Sequence, residues 1–408
     1  MRRVVVTGMG IASPLGSTVK SAFERLKTYQ NCIEYWTELD EIKNMNTRLC
    51  SKVKGFEKPE YFTRKITRTM GNVALMATVT AEQALQESGL LNNPVITNGR
   101  CGVSYGSSTG SMKPIFDFYA IELDKEVKNL NSGSYIKMMP QTTAVNISLY
   151  FKTTGRLIPT STACTSGSLG IGMAYEAIKY DLQDVMIAGG AEKIHPSQAG
   201  VFDTLYATSI KNDTPDKTPS PFDRDRDGLV IGEGAGTLIL EEYEHAKNRG
   251  AKIYAEIVGF DTNTDGTHIT NPNPNTMQIV MENAVKSANL SMKDIGYVNA
   301  HGTGTKNGDI AESIATQNAF QRQIPISTIK SYTGHTLGAC GAIEAILSIE
   351  MMRNKWFAPT LNLNNIDSEC GDLDYITNSG RVIDTEYIMS NNFAFGGINT
   401  SLIFKRCE

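Results

Sequence analysis

Leu157-Ile158-Pro159-Thr160-Ser161-Thr162-Ala163-Cys164-Thr165-Ser166-Gly167-Ser168, running on into Leu169-Gly170-Ile171-Gly172-Met173-Ala174-Tyr175-Glu176-Ala177-Ile178, is the stretch on which the reading of this chain turns. Leu157 to Thr160 reads as a strand and the residues from Ser168 as a helix, so Cys164 falls at or just before a helix N-terminus. Unpaired main-chain N–H groups and the positive end of the helix dipole favour a thiolate there. A free thiol titrates near pH ~8.5, and such a position lowers that by about one to several units, enough for a nucleophile at neutral pH. Ala163, Ser166, Gly167 and Ser168 leave room for a carbonyl group to approach and for main-chain amides to face its oxygen. Residue type alone argues the other way, because free cysteine is among the most buried of side chains. The rest of the chain has to decide.

The same alternation of short apolar runs with helical patterns extends on both sides, the signature of an α/β protein. Strands are expected at 4–7, 102–105, 184–188, 237–241, 254–259, 296–300 and 388–391, and helices at 21–26, 70–88, 142–150, 276–288, 309–320 and 341–353. A helical stretch at 241–249 ending at Gly250 makes a seam, dividing 1–250, which holds Cys164, from 251–408, which holds a second glycine-rich cluster. No strict short repeat is visible.

Composition excludes several classes. At 408 residues the chain is long enough for two domains or one large duplicated one. A net charge of −4 carries no basic signature for nucleic acid. Seven cysteines (Cys32, Cys50, Cys101, Cys164, Cys340, Cys370 and Cys407) are odd in number and form no CxxC pair, which fits a reducing cytoplasm. Met1-Arg2-Arg3 and Val4-Val5-Val6 superficially resemble a secretory leader, but Thr7-Gly8-Met9-Gly10 interrupts the apolar run, so a first strand is the better reading. No apolar stretch approaches the ~20 residues that span a bilayer, and no membrane partner is expected.

The second cluster begins at His301-Gly302-Thr303-Gly304-Thr305, directly after the strand-like Tyr297-Val298-Asn299-Ala300, which puts the histidine at a strand's C-terminal end, where α/β enzymes place their sites. Ser327-Thr328-Ile329-Lys330-Ser331-Tyr332-Thr333-Gly334-His335 then sets a lysine and a histidine five apart in a loop before a helix. The chain has only five histidines, and two of them fall in these Gly/Thr-rich segments. Asn391-Asn392-Phe393-Ala394-Phe395-Gly396-Gly397-Ile398-Asn399 joins two apolar runs through a glycine turn, either an ordinary hairpin or a loop whose amide completes an oxyanion hole and whose phenylalanine gates a pocket.

Three near-misses are set aside. Asp223-Arg224-Asp225-Arg226-Asp227-Gly228 imitates half a calcium loop, but its twelfth position is Gly234. Gly8-Met9-Gly10 opens a dinucleotide-like pattern whose third glycine is Ser13. Cys164, His301 and His335 would suit zinc by residue type, although Lys330 repels a cation, and no metal is expected.

Together these segments resemble the β-ketoacyl–acyl carrier protein synthases, particularly the synthase II type of fatty-acid and polyketide elongation. The likeness covers nearly the whole chain, from Val4-Val5-Val6-Thr7-Gly8-Met9-Gly10 through the Pro221 to Gly228 segment, Gly232-Glu233-Gly234-Ala235-Gly236 and the His301 and Lys330 segments to Phe395-Gly396-Gly397. It implies a thiolase-like fold, two similar βαβαβαβ halves in a five-layered α-β-α-β-α core, as a homodimer or a heterodimer with a related subunit. By the same resemblance Cys164 accepts the acyl group, His301 and His335 act on a malonyl thioester, Lys330 is the family's characteristic lysine, and Glu344 orders the region. The amides of Cys164 and Phe395 form the oxyanion hole, with Thr303, Thr305 and Phe393 in support. Thr109, Phe202 and Asp203 fall in the acyl-pocket segments, and Arg64, Lys65 and Arg68 match part of a basic patch that docks acyl carrier protein. No cofactor is implied, because substrates ride on the carrier's phosphopantetheine. Ala394 and Ile398 depart from the family's Gly-Phe-Gly-Gly-Thr-Asn loop, Lys306 stands where proline often follows the histidine motif, and Thr109 and Asp203 are unusually polar, features that lean toward a polyene or polyketide chain. A thiolase acting on coenzyme A esters is disfavoured by the two-histidine pattern, and a chain-length-determining subunit by the presence of Cys164.

Overall fold

The computed structural model describes residues 1–127 and 130–407; Glu408, the last residue of the second half as bounded from sequence, lies outside them. Each half lays down its elements in the same sequence. The first runs β1 (Val4–Ala12), α1 (Asn72–Glu87), β2 (Cys101–Gly106), α2 (Thr142–Phe151), β3 (Leu157–Thr160), α3 (Ser166–Lys179), β4 (Val185–Glu192) and β5 (Gly234–Glu242). The second runs β6 (Ala255–Thr264), α4 (Pro274–Ser287), β7 (Ile295–Asn299), α5 (Lys306–Phe320), β8 (Pro325–Ser327), α6 (Cys340–Arg353), β9 (Tyr387–Phe393) and β10 (Ile398–Arg406).

The strands are also ordered alike, β3-β2-β4-β5-β1 and β8-β7-β9-β10-β6. In both halves the last strand runs antiparallel to its two neighbours while the first three in spatial order are parallel. This is a duplicated fold whose repeat survives in topology after fading from sequence. β1 pairs with β6 from Val4↔Ile257 to Val6↔Ala255, and with a short Asp374–Tyr375 strand beyond β8 the two half-sheets make one sheet of eleven strands.

Five layers follow from where the apolar faces lie. Helices α1 and α2 cover the outer face of the first half-sheet, and α4 and α5 the outer face of the second, each over its own buried cluster. Helices α3 and α6 fill the middle, touching both half-sheets and each other. Nearly every residue of α6 is buried, which is why it carries apolar side chains all round rather than one stripe. The two middle helices meet at their N-terminal ends because glycine stands at the crossing. A Cβ on Gly167 would come 3.0 Å from the Ala342 nitrogen, and one on Gly341 would come 2.7 Å from the Ser168 nitrogen.

Strand β1 continues five residues beyond the expected end at Thr7. Gly8 and Gly10 read as breakers, yet a Cβ on them would sit 2.2 Å from the Ala84 carbonyl oxygen and 2.0 Å from that of Thr80, so their role is to let α1 approach the sheet. Helices Ile115–Asp124, Ser132–Met138 and Pro196–Thr204 were not foreseen. Among the described residues no helix is long and apolar enough to cross a membrane.

Candidate active site

The turn that carries Cys164 is built by main-chain geometry. After β3, Ala163 takes a left-handed φ of 49°, and Ala163–Thr165 form one tight helical turn that feeds α3. A non-glycine residue there is strained, and the surrounding hydroxyls hold it. Ser166 Oγ donates to the Ala163 carbonyl at 2.7 Å and accepts from the Thr162 amide at 3.0 Å, while Thr165 Oγ1 donates to the Thr162 carbonyl at 2.7 Å. The small residues around Cys164 therefore lash the turn as well as leaving space. The second half repeats the device: Leu337 has a φ of 48°, and Leu337–Ala339 turn into α6.

These two turns abut, which brings His335 to Cys164. His335 Nε2 lies 2.9 Å from Cys164 Sγ, and the His335 backbone is pinned by its amide to the Val230 carbonyl at 2.7 Å and by the Gly232 amide to its own carbonyl at 2.8 Å. His301 follows β7, its ring 5.1 Å from that of His335 and nearly perpendicular to it. The Glu312 carboxylate accepts the amides of His301 and Gly302, each at 2.7 Å, and Asp309 does the same for Thr303 and Gly304 at 3.1 and 3.2 Å. Burial pushes Glu312 up to about 8 and Asp309 up to about 6 against the pull of those amides. Lys330 and Glu344 form a fully buried ion pair beneath the histidines. Asn392 links that pair to His301, donating from Nδ2 to Glu344 Oε2 at 2.7 Å and lying 3.3 Å from His301 Nδ1.

The electrostatics correct one expectation. Cys164 is only 5 % exposed, and burial pushes its thiol up to about 12, although the Lys330 charge and the amides of Phe395 and Cys164 pull it down. The position at a helix N-terminus does not make a standing thiolate here, because desolvation outweighs it. The sulfur needs a base at the moment of attack, and His335 is in contact. Both imidazoles are held well below their usual range, by burial first and the Lys330 charge second, so both are neutral at pH 7. The Cys164, His301 and His335 donor atoms lie within 4.8 Å of one another, a spacing that would suit a soft cation, but the ammonium beside them opposes one.

A cavity of about 370 Å³ opens onto Cys164, His301 and His335, walled by Phe202, Phe395 and Thr303 among others. The Phe395 ring packs on Phe202 at 5.0 Å, both on the wall of the cavity that reaches Cys164. Phe393 meets the His301 ring edge-on at 6.2 Å, and the Thr303 and Thr305 hydroxyls lie 2.9 Å apart on the cavity wall. Thr109 and Asp203 do not line this cavity. Asp203 accepts from the Asn46 and Thr47 amides and the Thr208 hydroxyl at 2.8 to 2.9 Å, and so fastens a loop. Thr109 donates to Glu192 at 3.0 Å and accepts from Gln198 at 2.7 Å. Their polar atoms are engaged in these hydrogen bonds. Arg64, Lys65 and Arg68 are exposed just ahead of α1 and take no part in the ion pairs found among the described residues.

Sequence reasoning missed Asn392, Glu312, Asp309 and Arg226. Arg226 sits inside the segment set aside as a false calcium loop, pairing with Asp367 at 2.7 Å and Asp309 at 3.5 Å beneath the cavity. An arginine in a run of aspartates was the available signal for a buried ion-pair hub.

The model of the β-ketoacyl synthase N-terminal domain matches residues 1–246, and that of the β-ketoacyl synthase C-terminal domain matches residues 254–364. The chain belongs to the β-ketoacyl synthase family. This ketosynthase, a condensing acyltransferase of thiolase fold, is 40 % identical to a 3-oxoacyl-[acyl-carrier-protein] synthase 2 of Vibrio cholerae serotype O1 over 413 residues, covering 99 % of each chain. A β-ketoacyl synthase crystal structure from Burkholderia phymatum superposes with a TM-score of 0.98 at 52 % identity, covering all of both chains. A type II polyketide ketosynthase, solved in complex with its acyl carrier protein and bound to a hexaketide, superposes with a TM-score of 0.87 at 28 % identity, again over the full length of both.

Proposed function

We propose that this ketosynthase elongates an acyl chain by decarboxylative Claisen condensation, with Cys164 carrying the chain. The observation that carries the reading is the contact of Cys164 Sγ with His335 Nε2 at 2.9 Å, beside a second neutral imidazole. In the first half-reaction His335 takes the thiol proton as sulfur attacks an acyl thioester. The amides of Cys164 and Phe395 receive the oxyanion, a donor pair in which each member is worth about 3 kcal/mol of transition-state stabilisation. The carbon–sulfur bond of the incoming thioester breaks, and its thiol leaves with the proton. In the second, a malonyl thioester loses carbon dioxide; the electron pair of the broken bond becomes an enolate, and ring N–H groups of His301 and His335 donate to its oxygen. The enolate carbon attacks the Cys164 thioester, the carbon–sulfur bond breaks to expel the Cys164 thiolate, and a proton taken from solvent and passed on by His335 returns the thiol. Neutral imidazoles suit that step, since a donor of matched basicity stabilises the enolate without surrendering its proton.

Acyl carrier protein is the proposed donor of both thioesters, held by Arg64, Lys65 and Arg68 against its acidic surface, and no cofactor beyond its phosphopantetheine is required. Carrier-based synthase relatives support this over a coenzyme A-dependent thiolase, and Cys164 in contact with a base supports it over a chain-length-determining subunit. The enzyme is proposed to be dimeric, because β3 ends the sheet with Leu157 41 % exposed and apolar side chains of Ile115–Asp124 stand uncovered. Seven free cysteines support a reducing, cytoplasmic setting. The chain made is a fatty acid, a polyketide or a polyene. Intact-mass measurement after incubation with carrier proteins loaded with saturated and unsaturated chains of graded length tests the reading: an acyl adduct should appear on the wild type and vanish in Cys164→Ala. An adduct that persists in the variant would end it.

A further inference from the structure

We propose that Asn392 is the positioning residue that makes His301 a dedicated hydrogen-bond donor, by donating to ring Nδ1 and so keeping the ring proton on Nε2. The inference rests on the reading of His301 as a donor in the malonyl half-reaction. Asn392 is fully buried on β9, with Nδ2 2.7 Å from Glu344 Oε2 and 3.3 Å from His301 Nδ1. The orientation of its amide is fixed by chemistry. Turned over, its oxygen would face a carboxylate oxygen with no proton between them, so the amino group must point at Glu344. That group has two N–H bonds; the second has His301 Nδ1 at 3.3 Å and Cys340 Sγ at 3.7 Å within reach, and the ring nitrogen is the nearer and the stronger acceptor of the two. An acceptor at Nδ1 leaves the proton on Nε2.

The amide is itself held. Glu344 is paired with Lys330, and Asn392 Oδ1 occupies the space left by the missing side chain of Gly341, where a Cβ would come within 2.6 Å of it. Lys330, Glu344, Asn392 and His301 thus form one chain from a buried charge to a ring nitrogen.

His335 is built differently. Its Nδ1 is buried and has no hydrogen-bond partner among the described residues, so nothing locks its tautomer. One imidazole has a fixed role and the other is free to exchange its proton. That division matches the two half-reactions, in which His335 alone touches the thiol and both rings face the enolate.

The test uses the full-length enzyme. Nitrogen-15 spectra of labelled histidine should show His301 as the Nε2–H tautomer in the wild type, and a mixture or the Nδ1–H form in Asn392→Leu, which keeps the volume and removes the donor. Malonyl decarboxylation should fall about 10- to 100-fold further than Cys164 acylation does, the range expected when a partner orienting a site histidine is removed. Asn392→Ala, checked for folding by its melting curve, should behave alike. A wild-type His301 in the Nδ1–H form overturns the inference without any variant. So does an Asn392→Leu enzyme that keeps the Nε2–H tautomer and loses both half-reactions equally, for then Asn392 merely fills space. Should His301→Ala decarboxylate at the wild-type rate, the role given to His301 is at fault and the inference falls with it.

Discussion

Replacing Lys330 by methionine removes one charge from a pair that is almost wholly inaccessible to water, Lys330 at 1 % and Glu344 at 3 % exposure. Breaking a buried pair from one side leaves the other charge uncompensated, which costs about 3–5 kcal/mol. For a 408-residue chain the entropy of unfolding is about 0.9 kcal/mol per kelvin, so Lys330→Met should melt about 3–6 °C below the wild type. The deficit should depend on pH in a stated direction. Burial already holds Glu344 above its usual range, against the pull of Lys330, and losing the ammonium drives it higher. A carboxyl whose folded value is raised contributes stability at low pH and loses it as pH rises through that value, so the deficit should be larger at pH 8 than at pH 5. The double variant Lys330→Met/Glu344→Gln removes both charges and keeps an acceptor for Asn392. It should recover most of the stability while condensation stays lost, which separates the fold's use of the pair from the reaction's. Differential scanning calorimetry at both pH values, beside a condensation assay, supplies the measurement. A single variant melting within about 1 °C of the wild type, or a double variant no more stable than the single, would refute the reasoning.

With the Cys164 thiol pushed up to about 12 by burial, its alkylation by iodoacetamide should keep accelerating through pH 9 to 11; a plateau near pH 7 would mean a standing thiolate. Neutralising Arg64, Lys65 and Arg68 together should raise KM for acylated carrier protein by about tenfold and flatten its salt dependence with little change in kcat, and unchanged steady-state kinetics would remove the docking surface. Leu157→Glu places a charge on the open sheet edge and should shift sedimentation from dimer toward monomer; an unaltered profile would locate any self-association elsewhere. Gly341→Ala forces a methyl group to within 2.7 Å of the Ser168 nitrogen and should destabilise the enzyme and slow turnover together, as followed by its melting point and rate.

What was legible in sequence was what short-range pattern encodes. The strand, turn and helix around Cys164 were readable because small residues and a switch of hydrophobic period sit side by side, and the helix begins at Ser166, two residues earlier than read. The His301 and Lys330 segments stood out by their glycines and threonines. Sequence could not weigh desolvation against a helix dipole, so the sign of the shift at Cys164 was misjudged. Nor could it show that Asp203 spends its oxygens on main-chain amides, since an aspartate reads the same whether it faces a cavity or a loop. Asn392 was quoted within a motif and passed over, because its significance lies in contacts with residues 48 and 91 positions away.

The doubled architecture has a consequence for how the enzyme holds together. Cys164 comes from one repeat and both site imidazoles from the other, and each central helix also packs against the sheet of the opposite repeat. A cut in the exposed turn at Gly250 should therefore give two polypeptides that are inert and sticky apart, yet regain turnover when synthesised in the same cell. Such an enzyme could be encoded in two pieces, but it should melt in one.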